Sequence, residues 1–148
     1  MYSTETYQRS MELKLRSDLA FIHSAVRKAE KFAQECGADG VSTISVVLRE
    51  LLANAVAHGN HNAPDLKVDL HIEYDGEGAF RITVEDEGEG FDYSCLDTRI
   101  PEDPRNIHNR GYMLIRNMCR SVEFNERGNR VTVLLDMAGR SYPGQSRS

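Results

Sequence analysis

The sequence predicts an α+β protein, a two-layer sandwich in which a mostly antiparallel sheet is covered on one face by about three helices. Three observations carry this expectation. Several short segments place apolar residues at every second position and are joined by Gly- and Asn-containing turns, the signature of hairpins. Two longer segments instead repeat their apolar residues at helical spacing. At 148 residues, 40% hydrophobic and 28% charged, the chain is long enough for one core. A domain of that size buries roughly 68–70% of the surface its unfolded chain exposes. Helices segregated to one face of a hairpin-built sheet satisfy both periodicities together.

Met11-Glu12-Leu13-Lys14-Leu15 alternates as a half-buried strand does. Ser17 or Asp18 can cap a first helix, whose apolar face runs through Leu19, Ile22, Val26, Ala29 and Ala33 and which Gly37 stops. A second helix starts at Asp39 or Ser42, carries Ile44, Val47, Leu48, Leu51 and Ala55 inward, and ends at Gly59. Leu66, Val68, Leu70, Ile72 and Tyr74 alternate with polar residues. The turn Asp75-Gly76-Glu77-Gly78 leads from them into Phe80, Ile82 and Val84, an antiparallel hairpin. From Tyr93 to Arg110 periodicity is lost and Pro101 and Pro104 appear, which predicts a long mobile loop. Gly111 opens a short helix bearing Met113, Leu114 and Met118, and Ser121–Phe124 and Val131–Leu135 form two last strands around Gly128-Asn129. Residues 10–137 are read as one domain between a disordered N-terminus (1–9) and a disordered tail (138–148). There is no internal repeat.

Net charge is −5, from 18 basic and 23 acidic side chains, without a Lys/Arg stripe that could neutralise a phosphate backbone. Direct nucleic-acid binding is therefore disfavoured. No apolar run approaches the ~20 residues that span a bilayer, and Met1-Tyr2-Ser3-Thr4-Glu5 lacks the basic and apolar regions of a signal peptide. The expected compartment is the cytoplasm, with no membrane contact. Cys36, Cys95 and Cys119 are odd in number and form no C-x-x-C pair, which fits reduced structural thiols.

Two segments carry chemistry. Glu50, Asn54 and His58 recur every four residues beside the apolar stripe of the second helix, where a cleft could form at the rim of a core. Magnesium takes about six oxygen ligands, most of them water and substrate phosphate, so one amide oxygen from Asn54 would suffice. Glu50, one turn earlier, could orient or deprotonate a hydroxyl attacking a terminal phosphate. Asp86 ends a strand and meets Gly88 and Gly90, so its carboxylate could accept a hydrogen bond from the exocyclic amine of adenine while backbone approaches the ligand. Gly111, opening a helix, would let backbone N–H groups reach phosphates, with Arg105 and Arg110 assisting. Taken singly, E-x-x-x-N is also a solvated helix face, and D-x-G-x-G a plain acidic turn or a calcium loop without EF-hand spacing. His58 and His61 lack a third zinc ligand at metal spacing and are read as cap and loop residues.

Together the segments resemble the GHKL ATPase superfamily of gyrases, heat-shock chaperones, histidine kinases and mismatch-repair ATPases, over about residues 10 to 137. Glu50 to Asn54 with His58-Gly59 is similar to the N-box, Asp86 to Asp92 to the first glycine box, and Arg110-Gly111-Tyr112-Met113-Leu114-Ile115 to the second. The resemblance implies the Bergerat, or histidine-kinase-like ATPase, fold, with ATP and Mg2+ as cofactors. It makes Glu50 the general base and Asn54 the magnesium ligand. Asp86 becomes the adenine reader, and Gly88, Gly90, Arg110, Gly111 and Tyr112 nucleotide contacts. Two positions depart from the family pattern: Asn109-Arg110-Gly111 replaces a common Gly-x-Gly, and Asn129-Arg130 stands where a Thr near the adenine is common.

Within the superfamily, the small size and the E-L-x-x-N-x-V-x-H-G form resemble bacterial anti-sigma-factor serine/threonine kinases. The chain has no room for the helical hairpin of a histidine kinase. The implied function is partner switching: holding a sigma factor inactive and phosphorylating a serine of an antagonist STAS domain, the anti-anti-sigma protein. The alternative reading is an ATP-binding module that sequesters a protein without phosphotransfer, and a third is an interaction domain that has lost nucleotide. The N-terminal strand could pair across a two-fold axis, as in a homodimer.

Overall fold

The computed structural model describes residues 9–38, 41–88 and 114–136. Strands β1 (Arg9–Arg16), β2 (Lys67–Tyr74), β3 (Ala79–Asp86), β4 (Ser121–Phe124) and β5 (Arg130–Asp136) form one antiparallel sheet in the order β1-β2-β3-β5-β4. Helices α1 (Ile22–Glu35) and α2 (Val41–Asn54), with a short helix over residues 114–118, accompany the sheet. The α+β class read from the sequence therefore holds.

Period-two patterning dictates which face is covered. Leu13 pairs with Leu70, Ile72 with Ile82, and Val84 with Val131, so apolar partners line up strand by strand on one face. Phe80, Ile82, Leu70, Ile72, Val133 and Leu135 are buried there against Val26, Ala29 and Phe32 of α1 and Ile44, Val47, Leu48 and Leu52 of α2. The Phe32 ring meets Phe80 edge-on with centroids 6.3 Å apart, and Tyr74 lies 4.7 Å from the same ring. The opposite face presents Lys14, Asp69, His71, Thr83 and Glu85, none of them buried.

Local chemistry sets the helix ends. Asp18 caps a 3-10 turn (Leu19–Phe21) by accepting from the Ala20 N–H at 2.9 Å, and α1 proper begins only at Ile22. Ser17, the other cap candidate, is instead buried beneath Asn60. Gly37 stops α1 at φ +87, where its N–H donates to the Gln34 carbonyl and that of Ala38 to the Ala33 carbonyl. Asp39 lies outside the described residues. Cys36 and Cys119 are free thiols, and burial pushes the Cys119 thiol up to about 12, which leaves it protonated and inert at neutral pH. Among the described residues no helix is long and apolar enough to cross a membrane.

The second helix differs from its expectation at one place that matters for function. After Asn54 the α-helical ladder gives way to a π turn, Ala55–Gly59, closed by the Asn60 N–H donating to the Ala55 carbonyl at 2.8 Å. Such i→i+5 turns widen a helix by one residue and concentrate at functional sites. The four-residue spacing Asn54-His58 thus runs from a regular helix into a π turn, and both residues line the same cleft. Gly59 is driven against the end of β3.

Candidate functional site

A cleft opens where α2 and its π turn cross the ends of β3 and the β4–β5 hairpin. Leu51, Asn54, Ala55, His58 and Gly59 form one wall, and Val122, Phe124, Asn129 and Val131 the other. Ile115 of the short helix closes one side, and Val84 and Asp86 form the floor. The lining is largely apolar, with a carboxylate at the bottom and amides at the sides, which suits a flat heterocycle that offers one polar edge.

Asp86 occupies the inward register of β3, continuing Phe80, Ile82 and Val84, and is only 8% exposed. Its Oδ1 accepts the Gly88 N–H at 2.9 Å. Burial raises its pKa above the usual 3.8; the Gly88 N–H and the Arg127 charge oppose that shift without cancelling it. Two glycines make room for it. A Cβ on Gly59 would overlap the Asp86 carboxylate, and a Cβ on Gly88 would overlap the Gly59 carbonyl. Close approach of the π turn to the end of β3 is thus the reason for glycine at both positions.

The site residues expected from the sequence separate into three groups. Asn54, Asp86 and Gly88 come together around the cleft, with Asn54 and Asp86 in its walls and Gly88 bonded to Asp86. Glu50 sits half-buried on α2 one turn before Asn54 and is not part of the described walls. Gly90, Arg110, Gly111 and Tyr112 lie outside the described residues, as do Arg105 and the loop read from Tyr93 to Arg110. Among the described residues no group of three or more His, Cys, Asp or Glu could hold a metal ion.

A model of the histidine kinase-like ATPase domain matches residues 15–135. The chain belongs to the histidine kinase-like ATPase family. A relative from Halalkalibacterium halodurans, an anti-sigma F factor, is 33% identical over 86 residues, covering 51% of this chain and 58% of that protein. The chain thus matches little more than half the length of this curated relative. The crystal structure of the RsbU and RsbW domains of Rv1364c from Mycobacterium tuberculosis superposes on 86% of this chain and 31% of that chain. Its TM-score is 0.58 at 15% identity, which speaks for the shared fold.

An ATPase domain implies ATP as ligand, and the residues present fit it. Among the described residues only the Gly88 N–H bonds to the carboxylate of the buried Asp86 at the floor of an apolar cleft, and a cradle that any Cβ would fill lies beside it. By sequence alone Gly59 reads only as a helix end, Asn60 carries no role, and Asn129 stands out only as a departure from the family pattern. Asn129 is 7% exposed, and its amide donates to the Asp86 carbonyl at 3.0 Å and accepts from Asn125 at 2.7 Å. Where the family pattern often has Thr, the amide here serves the backbone that carries Asp86.

The raised pKa of Asp86 has a testable consequence. Because the folded state holds this proton more tightly than the unfolded chain, the stabilisation is complete below about pH 3.8 and is lost as pH rises through the higher folded value. At neutral pH the ionised carboxylate therefore burdens the apo protein. Asp86→Asn keeps the acceptor for Gly88 and is expected to leave the apo melting temperature unchanged or higher at pH 7. Loss of one charge-assisted bond of about 1.5–3 kcal/mol weakens ATP binding roughly tenfold to a hundredfold. Thermal melts and calorimetric titration check both halves, and an unchanged affinity would remove Asp86 from adenine recognition.

Proposed function

We propose that this domain is an ATP-dependent protein serine/threonine kinase that acts as an anti-sigma factor in a partner-switching system. The observation that carries the reading is the buried Asp86 at the floor of an apolar cleft, flanked by Gly59 and Gly88, with Asn54 in the wall. In this reading Asp86 accepts the adenine amine, and Leu51, Ala55, Val84 and Val131 exclude water from the ring. The Asn54 amide oxygen would ligate magnesium, and Gly90, Arg110, Gly111 and Tyr112 would contact the nucleotide. ATP supplies a transferable terminal phosphoryl group when bound. Glu50 accepts the proton of the incoming serine hydroxyl as general base, a role that demands position more than covalent chemistry. The partners are a sigma factor and a STAS-domain antagonist that carries the serine, and the setting is the cytoplasm. Family membership and the partial likeness to an anti-sigma F factor support this assignment.

A second reading keeps ATP binding but omits phosphotransfer, so that nucleotide only tunes how a partner is sequestered. The position of Glu50 away from the described walls favours it. Titration with ATP and GTP, each with and without magnesium, tests the shared part: magnesium-dependent binding that prefers ATP is expected, and its absence would overturn both. Incubation with γ-labelled ATP and a STAS-domain protein separates them. Label on a serine establishes the kinase, and bound ATP without label establishes the sequestering module.

A further inference from the structure

The peptide that joins Asp86 to Glu87 is gripped at both ends by buried amides from distant parts of the chain. Its carbonyl accepts from Asn129 Nδ2 at 3.0 Å, and its N–H donates to Asn60 Oδ1 at 3.0 Å. Asn129 also pairs through its backbone, its carbonyl accepting the Asp86 N–H at 2.9 Å. Asn60 is 1% exposed, and its other amide end is fully used, Nδ2 donating to Ser17 Oγ at 2.6 Å and to the Lys67 carbonyl at 2.9 Å. Its own N–H closes the π turn that carries Gly59. One side chain thus ties the end of β1, the start of β2 and the turn after β3 to the helix that lines the cleft.

Buried amides on this scale are retained only when every donor and acceptor is matched, because an unmatched one costs more than an apolar replacement. Here the matching has a geometric result. The Asp86 N–H, the Asp86 carbonyl and the Glu87 N–H are all held, so the backbone on both sides of the Asp86 Cα is fixed, and with it the point and direction from which the carboxylate enters the cleft. We propose that Asn60 and Asn129 act as a clamp on the Asp86–Glu87 peptide and are positioning residues for adenine recognition. Asn60 does so without lining the cleft. The proposal rests on the nucleotide reading of the site and adds to it the residues that aim its carboxylate.

The test is a double-mutant cycle read by calorimetric titration with magnesium-ATP, with circular dichroism confirming the fold of each variant. Asn60→Ala is expected to weaken ATP binding at least tenfold in the parent protein. In an Asp86→Asn background it should change affinity less than about threefold, because a residue that acts through Asp86 has nothing left to aim. Equal losses in both backgrounds, or no loss in the parent, would overturn the clamp while Asp86 keeps its role. If Asp86→Asn itself leaves ATP affinity unchanged, Asp86 does not read the adenine and the clamp falls with that role, whereas failure of the parent protein to bind ATP overturns the nucleotide reading itself. Should Asn60→Ala not fold, Asn129→Ala enters the same cycle. It frees only the carbonyl end of the peptide and carries the same two expectations.

Discussion

Gly59→Ala is expected to abolish tight ATP binding while leaving a folded protein. The added Cβ would occupy the space of the Asp86 carboxylate, the end of a side chain that can turn away. Turning it relieves the overlap but removes the acceptor from the cleft floor, so affinity should fall at least as far as in Asp86→Asn, roughly a hundredfold. The stability cost belongs at the low end of overpacking, about 1 kcal/mol, a few degrees in melting temperature. Gly88→Ala should behave in the opposite proportion. Its Cβ would strike the Gly59 carbonyl, and backbone cannot step aside as a carboxylate can. About 3 kcal/mol or more of destabilisation is expected there. Thermal melts beside ATP titrations read both variants. Equal affinity of Gly59→Ala and the parent would show that the packing of Gly59 on Asp86 has no part in binding.

Glu50→Gln tests the chemistry instead of the pocket. Glu50 is half-buried on α2, one turn before Asn54 and outside the described cleft walls, so replacing its carboxylate with an isosteric amide should leave the ATP dissociation constant within about twofold. If Glu50 is the general base, serine phosphorylation of the STAS antagonist should fall by about 10²–10⁴-fold, the usual contribution of a positioned base. Single-turnover transfer of labelled phosphate measures this directly. A rate equal to that of the parent would remove Glu50 from the base role. Loss of binding in parallel with transfer would place it in the nucleotide site instead.

Much of the site is legible in the amino-acid sequence because its signals are local. The alternation Phe80-Ile82-Val84 continues to position 86, so the strand pattern alone places a carboxylate at an inward register. Glu50 and Asn54 share a helix face by spacing, and both lie on regular α2. His58 has the spacing of the same stripe and lines the cleft with Asn54, but it sits in a π turn that begins at Ala55 and of which periodicity carries no sign. Ser17 has the signature of a helix cap because Ser before an apolar run usually is one. Its hydroxyl is instead claimed by Asn60, forty-three positions away in the chain.

The amino-acid sequence by itself determined the class of the fold, the apolar face of each element, the hairpin order and the residue types able to meet a nucleotide. Each of these follows from chemistry repeated over a few neighbouring residues. Tertiary structure alone decided that Gly59 packs on Asp86, that Gly88 packs on Gly59, and that Asn60 and Asn129 close on one peptide from opposite sides. Those contacts join segments far apart in the chain. Hydrogen-bond matching and steric exclusion act between atoms that touch, and only the folded chain brings these atoms together.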